Sequence, residues 1–149
     1  LGIARACLDA FMQVAQTKKS GGGVGAATAL RDNAVIQSQV AQATQRLRSA
    51  RAFLLQMLGE FWEISSTAGK FTLEQRALLR VAITGAMDQA RRVTDFACHA
   101  AGTNAIFQNG PFERRFRDLH TALAQGQAHL SNFESAGQAL FGTEPTQRL

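Results

Sequence analysis

Proline, cysteine and long hydrophobic runs are all scarce in this chain of 149 residues, which has two prolines and two cysteines. Charged or amide side chains interrupt every apolar stretch before it reaches the roughly 20 residues that a membrane-spanning helix needs. The first fourteen residues also lack the basic start of a signal peptide. From these absences we expect a soluble, cytoplasmic protein without a membrane partner.

The spacings typical of metal sites are also absent. Cys7 and Cys98 each lie in an apolar helical pattern outside any C-x-x-C motif, so we expect reduced, buried, structural thiols. A di-iron bundle needs a Glu three residues before each inward-facing His. Before the three histidines of this chain, those positions hold Phe96, Arg117 and Gly126. We therefore expect no metal.

Nucleotide-binding motifs receive no support from their surroundings. No G-x-x-x-x-G-K-[ST] loop occurs, and the G-x-G-x-x-A pattern at residues 21–26 follows a helical pattern. That fingerprint binds dinucleotides only between a strand and a helix, and the sequence has no convincing strand. We reject it as a dinucleotide site.

The net charge of +5 and the isoelectric point of 10.2 raise the question of a nucleic-acid partner. The arginines, however, are spread along two long helical patterns between Gln and Ala, and no aromatic platform accompanies them. This arrangement is typical of solvated helix faces and intersubunit ion pairs. We expect no nucleic acid.

Apolar residues recur every three or four positions, and Ala, Gln, Leu and Arg dominate, which together predict an all-α protein. Asp32 or Asn33 can cap the second helix, Thr72-x-x-Gln75 is a capping box before the third, and Gly102 ends the third. A second capping box, Ser131-x-x-Glu134, precedes the last helix. We predict an up-and-down bundle of four long helices and a short C-terminal helix, at residues 1–17, 33–64, 72–101, 111–124 and 131–142.

Several stretches occur in an order that resembles the C-terminal helical domain of the acyl-CoA dehydrogenase superfamily, and more closely its flavin-dependent monooxygenase branch. They are residues 1–11 (LGIARACLDAF), Gln37 with Val40-Ala41, and residues 102–107 (GTNAIF), 111–118 (PFERRFRD) and 133–137 (FESAG). The resemblance implies that residues 1–149 form one C-terminal domain of a larger flavoprotein. A start at Leu1 inside a helix, without an initiator Met, agrees with a fragment.

The resemblance also implies residues that contact the cofactor, FAD or FMN. In the family, a Gln before a Gly-Gly-x-Gly loop contacts the FAD diphosphate of a neighbouring subunit. The alignment places His99 at that Gln and Gly102, Thr103 and Asn104 on the loop, although most of the loop glycines are missing. The family's Arg after the first helix falls at Lys18 or Lys19, which keeps the charge.

The same alignment predicts the catalytic segment. Many dehydrogenases of the superfamily carry a Glu base nine residues after the Arg of an Arg-Asp pair, and here that position is Gly126. The monooxygenase branch often has a His one residue earlier, where this chain has Gln125, which donates hydrogen bonds but does not titrate. His120, which can point inward from the fourth helix, is the second catalytic candidate. His129 equally fits a polar residue near a helix start.

The implied function is a flavin-dependent oxidoreductase, a reduced-flavin monooxygenase acting on a small aromatic or heteroatom substrate. This bundle lines the flavin and substrate cavity and joins subunits into a homo-oligomer, typically a tetramer, and a flavin reductase is a further expected partner. The isolated domain is not expected to be active. Two alternatives stay open: an FAD-dependent acyl-CoA dehydrogenase whose base lies elsewhere, and a helical oligomerisation module without a catalytic role.

Overall fold

The structure is a computed structural model that describes residues 1–19, 28–67 and 69–149. It confirms the predicted all-α bundle. The helices, numbered in chain order, are α1 (Gly2–Ala15), α2 (Ala34–Ser66), α3 (Leu73–Ala101), α4 (Glu113–Ala122) and α5 (Ser131–Leu140). The described residues contain no strand, only an isolated antiparallel bridge between Lys19 and Ala29. The glycine-rich pattern at residues 21–26 lies outside them.

Local capping explains where the two longest helices begin. Asn33 accepts hydrogen bonds from the amides of Val35 and Ile36 at 2.9 and 3.2 Å, and this cap starts α2. Before α3, the Thr72 hydroxyl and the Gln75 side chain accept each other's backbone amide hydrogens, which confirms the predicted capping box. With 33 residues at about 1.5 Å each, α2 is about 50 Å long.

The C-terminal third departs from the predicted boundaries. The fourth helix has 10 residues and begins two positions after Pro111, which lies in the preceding turn. The capping box predicted at Ser131 is wrong, because α5 has no side-chain cap. The Ser131 hydroxyl is instead 2.7 Å from Nδ1 of His129, and this short-range contact replaces the bond to a helix amide. The last helix ends at Leu140, two residues before Gly142.

The central helix, α3, packs against α1, α2 and α5. Its inward positions are mostly alanine, and the partner helices supply larger side chains such as Leu8 and Phe11 of α1. Small residues on one helix allow a close approach of the helix that packs against it. The buried alanines of α3 are Ala77, Ala82, Ala86, Ala90, Ala97 and Ala101.

Both cysteines are free and buried, as predicted, and they meet between α1 and α3. The sulfur atoms of Cys7 and Cys98 are 3.5 Å apart. The hydrogen bond between them lowers the pKa of Cys98 and raises that of Cys7, because only one thiol can donate to the thiolate of the other. The pair is therefore part of the packed core.

The cap of α2 leads to a prediction about stability. Asn33→Ala removes the acceptor for two helix amides and should lower the free energy of unfolding by about 1 kcal/mol. Asn33→Asp keeps an acceptor at this position and should stay close to the original stability. Urea unfolding of the three proteins checks this, and equal stability of Asn33→Ala would contradict the assigned cap.

Candidate functional site

The residues predicted to contact the cofactor lie together at the C-terminal end of α3. Lys18 follows α1, and its ammonium group donates to the backbone carbonyl of Ala101. Gly102 ends α3 with φ of +58°, a conformation that favours glycine, and a Cβ there would lie 3.1 Å from Nζ of Lys18. The Lys18 ammonium group and Gly102 therefore lie close together at this end of the bundle.

The other three predicted cofactor residues surround that contact along the chain. His99 is in the last turn of α3, where its carbonyl accepts the amide hydrogen of Gly102. Thr103 and Asn104 belong to the 3-10 turn Gly102–Ala105, and the side chains of all three residues are exposed. A cation beside exposed hydroxyl, amide and imidazole groups is chemically suited to an anionic diphosphate. These residues fit the group that the resemblance implies.

The first catalytic candidate, Gln125, is exposed on a turn between α4 and α5. Its extended backbone precedes the 3-10 turn Gly126–Ala128. The carbonyls of Gly126 and Gln127 point inward and accept hydrogen bonds from Asn132 on α5, and Gln127 also accepts one from Thr84 on α3. Thr84 and Asn132 thus hold the turn on its buried side, while the Gln125 side chain is exposed.

Gly126 occupies the position at which many dehydrogenases carry their base. A Cβ added here would meet no atom within 4 Å, and its φ is outside the left-handed range. No Asp or Glu occurs in the sequence between Asp118 and Glu134. The turn itself therefore offers neutral hydrogen-bonding groups and no carboxylate for proton abstraction.

The second candidate, His120, lies on α4 with its side chain exposed and does not point inward, the orientation that the sequence had left open. Its Nε2 is 3.1 Å from Oδ1 of Asp95 on α3, and its ring packs 4.2 Å from that of Phe116 between centroids. The carboxylate holds the imidazole toward solvent, with 39% of the side chain exposed. The structure therefore places His120 beside Asp95 and the turn that follows Gln125 beside Thr84, at different positions along α3.

A network of charged side chains on α3 extends from Asp88 to Asp95, and His120 of α4 contacts it through Asp95. Asp95 also contacts Arg91 at 3.2 Å, and Arg91 and Arg92 both bind the buried carboxylate of Asp88, at 2.9 and 2.7 Å. Burial alone would raise the pKa of Asp88, but the hydrogen bonds from Arg92 and Arg91 outweigh it and hold the pKa below its usual value. The network fixes the position of Asp95, and with it that of His120.

Arg117 and Asp118, the Arg-Asp pair of the resemblance, contact different partners. Arg117 lies 3.0 Å from Glu113, and Asp118 lies 3.5 Å from Arg114, in both cases one helical turn earlier. Adjacent helix positions point about 100° apart, which explains why the two do not pair with each other. His129 bonds to Ser131, in agreement with a polar residue at a helix start.

Sequence reasoning missed Thr84 and Asn132. Both side chains are polar but buried, with 0% and 8% of their surfaces exposed. Thr84 falls seven residues after Ala77 on the inward face of α3, so the sequence signal is a hydroxyl in a mainly apolar pattern, a signal that Thr94 shares. Most buried hydroxyls have a hydrogen-bond partner. The identity of that partner depends on the tertiary structure.

A groove of about 400 Å³ lies between α2 and α3, and Phe133 of α5 also lines it. Gly85 and Phe133, which follow Thr84 and Asn132 in sequence, line it together with Phe53 of α2. At its polar end, Arg46 donates to Gln89 at 2.8 Å. The volume is in the range of small-molecule sites.

Across residues 1–19, 28–67 and 69–149, no helix has both the length and the apolar character needed to cross a membrane. Within the same ranges, no three His, Cys, Asp or Glu side chains are grouped in a way that would hold a metal ion.

Comparison with known proteins identifies the family. Residues 1–130 match the family described as acyl-CoA dehydrogenase, C-terminal domain, and the chain belongs to this family. An indole-3-acetate monooxygenase from Pseudomonas putida is 32% identical over 145 residues, which cover 97% of this chain and 36% of that protein. A pigment production hydroxylase from Rhodococcus erythropolis is 29% identical over 123 residues, which cover 79% of this chain and 30% of that protein.

The fold is also shared with solved structures. XiaF from Streptomyces sp., in complex with FADH2 and glycerol, superimposes with a TM-score of 0.89 at 17% identity, covering 99% of this chain and 37% of that one. The predicted family and fold are therefore confirmed. The chain spans about a third of the length of these relatives.

The network around Asp88 leads to a prediction about pH. The pKa of Asp88 is lowered on folding, so its carboxylate stabilises the protein above the ordinary value of 3.8, and this contribution is lost as the pH falls through the folded-state value. Near neutral pH, Asp88→Asn should cost about 1–3 kcal/mol, because two guanidinium groups lose their charged acceptor. Below pH 3.8 the difference between the two proteins should shrink.

Urea unfolding at both pH values measures the effect of Asp88→Asn. Asp118→Asn is a matched control, because Asp118 is exposed and has a single ion pair at 3.5 Å. It should change stability by less than about 1 kcal/mol. An equal loss in the two variants, or a loss for Asp88→Asn that does not depend on pH, would contradict the role of the network.

Proposed function

We propose that this chain is the C-terminal bundle of a flavin-dependent oxidoreductase, a monooxygenase that uses reduced flavin and acts on a small aromatic or heteroatom substrate. The observation that carries the proposal is the 32% identity to an indole-3-acetate monooxygenase over 145 residues. Gly126 supports it, because acyl-CoA dehydrogenation requires a base that this position does not provide.

Flavin, FAD or FMN, supplies the redox chemistry with oxygen when it is bound. The chain's own residues bind the flavin and orient the substrate. Lys18, with Gly102 and the polar groups of Thr103 and Asn104, provides a cationic end for a diphosphate, to which His99 can also donate. Gln125 donates a hydrogen bond in the substrate cavity, and His120 lies next to Asp95 as a second polar group.

Two separate regions of the bundle contact different flavins in this proposal. Thr84, which anchors the turn after Gln125, and Gly102 are 18 residues apart along α3, or about 27 Å at about 1.5 Å per residue. The ring and the diphosphate of one flavin are closer together than that. The separation supports an assembly in which Gln125 lies at one flavin and Lys18 contacts the flavin of a neighbouring subunit.

Such sharing requires a homo-oligomer, and we propose a tetramer. Exposed apolar side chains on α2 support an interface: Leu55, Leu58 and Trp62 are 48%, 46% and 77% exposed and lie at helical spacing on one face. A flavin reductase that supplies reduced flavin is a further proposed partner. The cytoplasmic location stays a prediction from the sequence.

The proposal predicts the behaviour of Gln125 variants in the full-length protein. With reduced FAD or FMN and indole-3-acetate as the first aromatic probe, Gln125→Ala should lower the fraction of consumed oxygen that appears as product by about tenfold, because a donor that orients the substrate is lost. Gln125→His keeps a donor and should retain or raise this fraction. An oxygen electrode combined with product analysis measures it.

Equal coupling of oxygen consumption to product in all three proteins would contradict the role of Gln125. The monooxygenase assignment itself would be contradicted by oxygen-independent desaturation of an acyl-CoA that is abolished by mutating a carboxylate elsewhere in the protein. That result would support the dehydrogenase alternative.

The proposed interface predicts a second outcome. Leu58→Glu combined with Trp62→Glu places two carboxylates in the apolar face and should convert the oligomer into smaller species, because burial of both charges is costly. Glu60→Lys is the control, since Glu60 is exposed on α2 about 200° around the helix from Leu58. Sedimentation velocity at matched concentrations distinguishes the species, and an unchanged oligomer in the double variant would exclude this face as the interface.

A further inference from the structure

A buried pair of polar side chains, Thr84 on α3 and Asn132 on α5, lies directly beneath the turn that follows Gln125. Asn132 Nδ2 donates to the carbonyl oxygens of Gly126 at 2.9 Å and Gln127 at 3.2 Å. The Thr84 hydroxyl donates to the Gln127 carbonyl at 2.9 Å, and it accepts from Asn132 Nδ2 at 3.3 Å. Side chains of α3 and α5, which are distant in sequence, therefore donate hydrogen bonds to two consecutive carbonyl groups.

The hydroxyl of Thr84 is directed differently from other helical threonine hydroxyls of this protein. Thr44 and Thr121 each donate to the carbonyl four residues earlier on their own helix. Thr84 donates across to a residue 43 positions away. Thr94, also fully buried on α3, has a hydroxyl oxygen without a hydrogen-bond partner among the described residues. Burial alone therefore does not dictate the contact made by Thr84.

The turn depends on this pair for its position relative to α3. Gln125, Gly126 and Gln127 are exposed, so side-chain packing contributes little to holding them. Backbone bonds from Ala128 to Gln125 and from His129 to Gly126 shape the turn internally, at 2.9 and 3.2 Å, but do not attach it to the bundle. Buried polar groups that satisfy one another favour one arrangement over its alternatives.

We propose that Thr84 and Asn132 are positioning residues for the reaction: they fix the carbonyls of Gly126 and Gln127 and thereby the direction of the Gln125 side chain. The inference rests on the proposed function, in which Gln125 donates a hydrogen bond in the substrate cavity. Both side chains are buried, so they act through the turn and not by direct contact with substrate or flavin. Their effect reaches the reaction through the backbone of one turn, and small displacements of a positioned group have large effects on rate.

Thr84→Val in the full-length protein tests the proposal, because valine keeps the shape and removes the hydroxyl. With reduced FAD or FMN and indole-3-acetate, the fraction of consumed oxygen that appears as product should fall about tenfold. The dissociation constant for reduced flavin should stay within about twofold, since the contacts at Lys18 and Gly102 are unaffected. Thr84→Ser restores a hydroxyl and should recover most of the coupling.

Thr94→Val is the matched control. It removes an equally buried hydroxyl from the same helix, one that bonds to nothing in the described part of the chain, and it should leave the coupling unchanged. Asn132→Leu provides a second test of the same turn from α5 and should lower the coupling as Thr84→Val does. A purely structural role would instead reduce thermal stability and total turnover together, without changing the fraction of oxygen converted to product.

Hydrogen exchange in the same proteins reports on the turn itself. In Thr84→Val the amides of Ala128 and His129 should exchange about tenfold faster than in the original protein, and in Thr94→Val they should not. Unchanged coupling in Thr84→Val, with normal turnover by the original protein, would overturn the positioning role alone. Absence of any flavin-dependent oxygen consumption by the original protein would overturn the proposed function and the positioning role with it.

Discussion

The close packing of α3 against three other helices is the constraint on which the rest of the structure depends. Alanine at its buried positions lets α1, α2 and α5 approach one central helix. A larger residue at any of these positions would push away the helix that now packs closely against it. Because each neighbouring helix packs on α3, the polar groups of α3 have fixed positions. They can therefore hold in place the residues that we propose to act in catalysis.

Polar groups at three positions along α3 hold residues of other elements. Thr84 holds the turn at Gly126 and Gln127, Asp95 holds His120, and the carbonyl of Ala101 holds the Lys18 ammonium group. In each case a residue from another element is attached to this helix by a polar contact. The methyl side chains of the interior alanines cannot form directional bonds. These attachments therefore come from two polar side chains of α3, Thr84 and Asp95, and from one backbone carbonyl.

The sequence allowed the fold to be predicted where the deciding interactions are local. Asn33 and the pair Thr72 and Gln75 act on amides two or three residues away, so spacing alone identifies them. Ser131 shows the limit of this reasoning, because the imidazole of His129 competes successfully for a hydroxyl that has the correct spacing for a cap. Capping patterns predict an acceptor but do not exclude a nearer partner.

The candidate site could be predicted only in part, for a related reason. The resemblance placed Lys18 and Gly102 in one group, and the structure brings them into contact, although their catalytic or binding roles stay predictions. It did not reveal Thr84 or Asn132, whose partners are defined by the packing of α5 and the turn on α3. The surface position of His120 likewise depends on Asp95, which is 25 residues away.

Gly126 shows what kind of chemistry the turn supports. Its backbone does not require glycine, and a Cβ there would meet open space, so a carboxylate can occupy this position without distorting the turn. The missing base is therefore a chemical difference from the dehydrogenases and not a steric consequence of the fold. With Gln125 and Gln127 on either side, the exposed side chains of the turn form hydrogen bonds but do not titrate. In the proposed function, a base for proton abstraction must then come from outside this turn.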